Sequence, residues 1–181
     1  MKLLLSALAL VMSKEDLERQ FRLTRAGWLV PFLLSTIAWA HIMVEMVYAY
    51  RNVTTWIHAT LVWLSAFLFA GWLMLFLALI TSLFIFRKVG MAKAFYFGLL
   101  ACMPIVAIAL ISLVLKMQFG LVRVLGYFPE HPLIIGAYLT IFSHVRLVSL
   151  VGKWRAIVYL LLLTILVYIL LGPVMFRLFS I

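Results

Sequence analysis

Five long apolar runs divide this chain, and its Lys and Arg residues collect in every second gap between them. Lys2, Lys14, Arg19, Arg22 and Arg25 precede the first run; Arg87, Lys88 and Lys93 separate the second from the third; Arg146, Lys153 and Arg155 separate the fourth from the fifth. The alternate gaps hold Arg51, then Lys116 and Arg123, and the C-terminal end adds Arg177, which makes eleven cations against four. Cytoplasmic connections of membrane proteins carry the surplus of Lys and Arg. The alternation therefore predicts an all-α, polytopic membrane helical bundle of about five transmembrane helices. Its N-terminus is cytoplasmic and its C-terminus outside.

Composition agrees. At 68% hydrophobic and 11% charged residues, the chain cannot cover itself with enough polar surface to face water. The formal charge of +10 does not point to nucleic acid, because the cations are dispersed over gaps that flank apolar runs. Cations placed there set orientation and meet anionic headgroups. Cys102 is the single cysteine, which rules out an intramolecular disulfide and reads as a small packing residue.

Two parts follow. Residues 1–26 read as an N-terminal extension and a short amphipathic interfacial helix. Ser13 and Asp16 have capping-box spacing, and Leu17, Phe21, Thr24 and Trp28 share one face opposite most of the charges. Residues 27–181 read as the five-helix transmembrane domain, with crossings near 27–49, 55–86, 92–116, 133–150 and 155–178. Thr54 or Thr55 can cap the second helix, which exceeds the ~20 residues a bilayer needs. Pro104 should kink the third crossing, and Gly172-Pro173 should bend or end the fifth early. Residues 117–132 form the longest connection.

Candidate chemistry is sparse. His41 and Glu45, four apart, share a helix face in the outer half of the first crossing. An imidazole and a carboxylate at that depth are costly unless paired or hydrated. Tyr48, Arg51 and His58 lie near the same boundary, so a proton relay or metal site could be drawn from the five. The plainer reading is an interfacial pair of Glu45 with His41 or Arg51. Ser143, His144 and Arg146 near the inner end of the fourth crossing read as headgroup or helix-end contacts. Arg87, Lys88, Lys93, Arg146, Lys153 and Arg155 would form one cytoplasmic patch touching headgroups or a partner. Ala66 and Ala70 with Gly71, Gly98 with Cys102, and Gly136 with Thr140 have the small-residue spacing that lets membrane helices approach closely.

No phosphate-binding glycine loop, His-Glu-x-x-His or nucleophile elbow occurs, and Asp16 is the one aspartate. The reading is non-enzymatic, with no cofactor and no bound metal assigned.

A family resemblance can be placed on particular residues. Trp28-Leu29-Val30-Pro31, the Phe84-Ile85-Phe86-Arg87-Lys88 turn leading to Phe95-Tyr96-Phe97-Gly98 and Met103-Pro104, and Tyr138 to Leu150 followed by Gly152-Lys153-Trp154-Arg155-Ala156-Ile157 resemble the prokaryotic-type, five-pass members of the Yip-domain (Ypt-interacting protein) family. The acidic Asp-Leu-Tyr-Gly-Pro-type motif and long polar N-terminal region of the eukaryotic branch are missing, so GTPase binding and vesicle trafficking do not carry over. The resemblance implies a non-enzymatic bundle working through partners or lipids.

The sequence reading is thus a bacterial inner-membrane accessory or scaffold subunit that packs against other integral membrane subunits, or against itself, and contacts membrane lipids. The alternative is a small transporter component that binds a solute or ion near His41 and Glu45.

Overall fold

Thr55 opens the longest helix of the chain: its extended backbone and its hydroxyl, which accepts the His58 N–H at 3.3 Å, satisfy one of the free donors of the first turn. The computed structural model describes residues 27–50, 55–119 and 130–179. The proposed interfacial helix before residue 27, Arg51, and most of the connection at 117–132 lie outside them.

Among the described residues the chain is helical, with no strand. The elements are α1 (Leu29–Tyr50), α2 (Trp56–Val89), α3 (Met91–Ala101), α4 (Pro104–Phe119), α5 (Glu130–Ser149) and α6 (Lys153–Phe179). Lipid offers no hydrogen bonds, so apolar runs of this length must satisfy their backbone internally, as helices do. Four stretches, Leu29–Tyr48, Trp56–Val89, Met91–Val114 and Pro132–Ser149, are long and apolar enough to cross a bilayer. Trp72, Leu79, Leu83, Ile111, Ile135 and Leu161 are among the apolar side chains left on the outside, where a soluble protein would place charge.

The third crossing is broken as Pro104 predicts. Pro104 has no N–H to give, and the chain tightens around Cys102 and Met103, whose N–H groups bond to Leu99 and Leu100 three residues back. α3 then packs beside α2, while α4 packs on α1 and α5. Of the bend or early end expected at Gly172-Pro173, the early end is not found. α6 continues as helix to Phe179, as membrane helices with proline can when surrounding groups re-satisfy the backbone.

Close approach depends on small residues. A side-chain carbon at Gly98 would lie 2.7 Å from the Ala78 Cα, so α3 and α2 touch backbone to backbone. A Cβ at Gly136 would overlap Ile105 of α4, and one at Gly71 would meet Thr36 and Phe32 of α1 at 3.5 and 3.6 Å. Ala66, Ala70 and Cys102 are buried in the same core, and Thr140 is buried too. All seven small residues with packing spacing therefore lie against the chain's own helices.

Gly90 alone separates α2 from α3, with φ +81°, a region that favours glycine. Lys88 Nζ donates to the Leu150 carbonyl at 2.9 Å, and Arg155 donates to the Phe84 carbonyl at 3.3 Å. These bonds tie the α2–α3 turn to the α5–α6 turn and put both basic turns at one end of the bundle. Arg87 and Lys88 close α2, and Arg146 closes α5, where a cation faces the negative end of the helix dipole.

Candidate functional site

Polar side chains inside this apolar bundle fall into two groups. Near the end of α1 away from the basic turns, His41 and Glu45 lie one helical turn apart, Nε2 to Oε1 3.2 Å, with side-chain exposures of 26% and 10%. Their approach is within ion-pair reach, but Nε2 is not aligned for a hydrogen bond. The contact is an ion pair when the imidazole carries a proton on both ring nitrogens. The His41 ring stacks on Trp63 of α2, centroids 6.2 Å apart. That stacking holds the imidazole between the two helices.

The other members of the predicted outer set do not join the pair. His58 sits exposed in the first turn of α2, Tyr48 is exposed, and Arg51 is outside the described residues. Among the described residues, no three His, Cys, Asp or Glu side chains come together as a metal site would need.

The second group sits toward the basic end, and its size was not foreseen. His144, predicted as a headgroup or helix-end contact, is completely buried. Its Nδ1 lies 2.8 Å from the Thr140 carbonyl. A carbonyl only accepts, so in the neutral ring Nδ1 carries the proton and Nε2 does not; the Gly98 carbonyl also faces the imidazole. The Cys102 thiol is 3.7 Å from that Nε2 and 3.5 Å from the Gly98 carbonyl, so its single proton has two acceptors to choose from. Tyr159 of α6 stacks on the imidazole, ring planes within 2°. Its phenol meets the Thr81 hydroxyl of α2 at 2.9 Å, and Thr81 donates in turn to the Leu77 carbonyl at 2.7 Å. A cysteine beside a histidine suggests nucleophilic catalysis. Here both are sealed from solvent, and the cluster reads as a polar connector joining α2, α5, α6 and the α3–α4 break.

Tyr159 and Thr81 carried no spacing signal, since they lie in different apolar runs. Cys102 was singled out with Gly98 four residues before it, and that turn does form: the thiol faces the Gly98 carbonyl.

A further set of buried polar atoms is left unpaired. Ser35 Oγ, Thr36 Oγ1, Trp39 Nε1 and His41 Nε2 on α1, with Thr140 Oγ1 on α5, are buried without a hydrogen-bond partner. Four of these five atoms belong to one helix. Natural proteins leave few such groups, and each calls for an explanation such as bound water or an ion.

No family profile, curated protein or solved structure matches this chain.

At the basic end, Arg87, Lys88, Lys153 and Arg155 are exposed, and Lys93 and Arg146 are half-buried. Lys88 and Arg155 also cap the turn carbonyls named above.

Proposed function

We propose that this protein is a small membrane component that handles a cationic solute or ion at the His41–Glu45 pair, with α6 serving as a fifth crossing. One observation carries the reading. Among the described residues, the pair lies within an apolar bundle on the same helix as Ser35, Thr36 and Trp39, whose buried polar atoms have no hydrogen-bond partner. A carboxylate kept at membrane depth is costly and is retained where a pathway or binding site uses it. The carboxylate sets the sign of the ligand, and Trp63, stacked on the imidazole, holds His41 in place beside it.

The charge alternation of the sequence supports an orientation with the basic turns in the cytoplasm and the His41–Glu45 pair toward the outside. A bacterial inner membrane suits that arrangement. The test is flux in liposomes. The purified chain is reconstituted and its uptake of Na⁺, K⁺, methylammonium and H⁺ is compared with Glu45→Gln and His41→Ala. Loss of one flux in both variants, with unchanged gel-filtration profiles, supports the reading; no flux of any kind above empty liposomes sinks it.

A second reading, a non-enzymatic accessory or scaffold subunit, is favoured by the outer end of α2. There Trp56 is 91% exposed, and Ile57, Leu61 and Leu64 also face outward. The resemblance to the Yip-domain family and the basic end, suited to lipid phosphate, point the same way. Partner docking through Ala66, Ala70 or Gly71 is the weaker part of that reading, because these residues already pack inside the chain.

A further inference from the structure

We propose that the basic end of the bundle seats one anionic phospholipid at the seam between α2 and α6, its phosphate between Arg87 and Arg155 and its acyl chains along the two helices. The inference rests on the lipid contact of the accessory reading and gives that contact a place.

The two helices meet at this end. The Thr81 hydroxyl lies 2.9 Å from the Tyr159 phenol, the Phe84 and Tyr159 rings pack edge to face with centroids 5.3 Å apart, and Arg155 donates to the Phe84 carbonyl at 3.3 Å. Phe84 and Arg87 are three apart, so they are neighbours on the surface of α2. Arg87 therefore stands beside the carbonyl at which the Arg155 guanidinium ends. Both arginines are exposed, and among the described residues Arg87 has no hydrogen bond or ion pair. The Phe84 carbonyl takes one of the five N–H donors of Arg155 and leaves the rest of its planar fork open.

No carboxylate among the described residues balances this pair of charges. The acids there are Glu45, near the far end of α1, and Glu130, which opens α5 at the end opposite Arg146. Basic sites between membrane helices attract anionic lipids and bind their headgroups. Phosphate is the anion that suits two guanidinium forks, because each fork can give it two parallel hydrogen bonds.

Away from the arginines, toward the middle of the bundle, both helices turn apolar. On α6, Arg155, Val158 and Leu162 follow one another at helical spacing on one face; on α2, Arg87, Leu83 and Leu79 do the same. All of these side chains are exposed. Trp154, 80% exposed beside Arg155, is suited to the headgroup level, where Trp rings of membrane proteins collect. Each row thus has the order of a phospholipid, charge at the membrane surface and hydrocarbon inward. Lys153 supplies a control on the same helix. It is exposed, and two residues from Arg155 it points to a different side of α6.

The experiment uses the full chain purified in detergent, with native mass spectrometry measuring retention of added phosphatidylglycerol against phosphatidylcholine. Wild type should retain one phosphatidylglycerol in preference to phosphatidylcholine. Arg87→Gln should lower that preference about fivefold or more, the share of one surface cation at an anionic membrane. Arg155→Lys, which keeps the charge and loses the fork, should lower it too. Lys153→Gln removes one charge away from the seam and should leave the preference within about twofold, since exposed charges at a distance are screened. Gel filtration of each variant shows whether it is folded. Arg87→Gln, which breaks no bond among the described residues, decides the outcome where Arg155→Lys does not fold.

An unchanged preference in Arg87→Gln overturns the seat. Equal losses in Arg87→Gln and Lys153→Gln also overturn it, as a diffuse attraction, yet leave the lipid contact of the accessory reading standing. Equal retention of the two lipids by wild type removes both. Packing against another subunit, the other half of that reading, is judged by co-purification and is separate from all three results.

Discussion

The Thr81 hydroxyl lies 2.9 Å from the Tyr159 phenol, joining α2 to α6 across 78 positions of chain. α6 otherwise packs mainly on α5, so this bond is a principal polar tie between the last helix and α2. Both side chains are buried, and the Thr81 hydroxyl also donates to Leu77, so the pair forms a short chain rather than an isolated contact.

A double-mutant cycle measures that tie. Thr81→Val and Tyr159→Phe should show a coupling of about 0.6 kcal/mol, and no more than about 1.7 kcal/mol, the span found for interhelical hydrogen bonds in membranes. Thermal or denaturant unfolding in mixed micelles gives the four free energies. Strict additivity would mean that the bond contributes no net stability.

Gly98 has no room for a side chain. Gly98→Ala puts a carbon 2.7 Å from the Ala78 backbone, where only a shift of α3 away from α2 relieves the overlap. Overpacking of this kind costs about 1–3 kcal/mol. Gly152→Ala, which meets nothing within 4 Å, should stay within about 0.5 kcal/mol of wild type. A Gly98→Ala protein as stable as the Gly152→Ala control would contradict the backbone contact.

Ala66→Leu and Ala70→Leu test whether those faces serve the chain or a partner. Both alanines are buried in the core. Each substitution should lower the melting temperature of the isolated protein in detergent, by an amount corresponding to about 1–3 kcal/mol. A variant that melts normally on its own but loses a co-purifying subunit would return these residues to the accessory reading.

Cys102 provides a reporter for the polar connector. Buried behind the α3–α4 break, it should resist a membrane-permeant maleimide in native vesicles and react fully once the protein is unfolded in SDS. Trp154→Cys in a Cys102→Ala background, placed at an exposed position, should react at once in vesicles. Rapid labelling of Cys102 in the folded protein would show that the cluster opens to water.

Orientation is checked separately. Reporter fusions after Lys88 and after Gly152 should fall on one side of the membrane, since Lys88 reaches Leu150 and Arg155 reaches Phe84. A fusion after Arg51 should fall on the other. Opposite sides for the first two would be incompatible with the bundle.

Much of this architecture is legible in the sequence because it depends on local rules. Apolar runs set the helices to within a few residues, Thr55 caps α2, and Pro104 breaks the third crossing where its missing N–H requires. The His41–Glu45 pair is also local, one turn on one helix. What spacing could not supply was partnership between runs. Thr81 and Tyr159 meet only because of how α2 and α6 are rotated, and His144 faces inward only because α5 turns that side toward Cys102. Gly98 stood out beside Cys102, yet the residue that requires its smallness, Ala78, lies in a different run. Gly172-Pro173 failed as a stop signal because a membrane helix has no water to take over the backbone groups it would release.

The single residue between α2 and α3 bears on how the two helices can move. A connection of Gly90 alone gives them no slack, and Gly98 against Ala78 holds them together again two turns further along. Pinned at both places, α2 and α3 shift as one unit. Any bending within the third crossing then falls at the break around Cys102 and Met103.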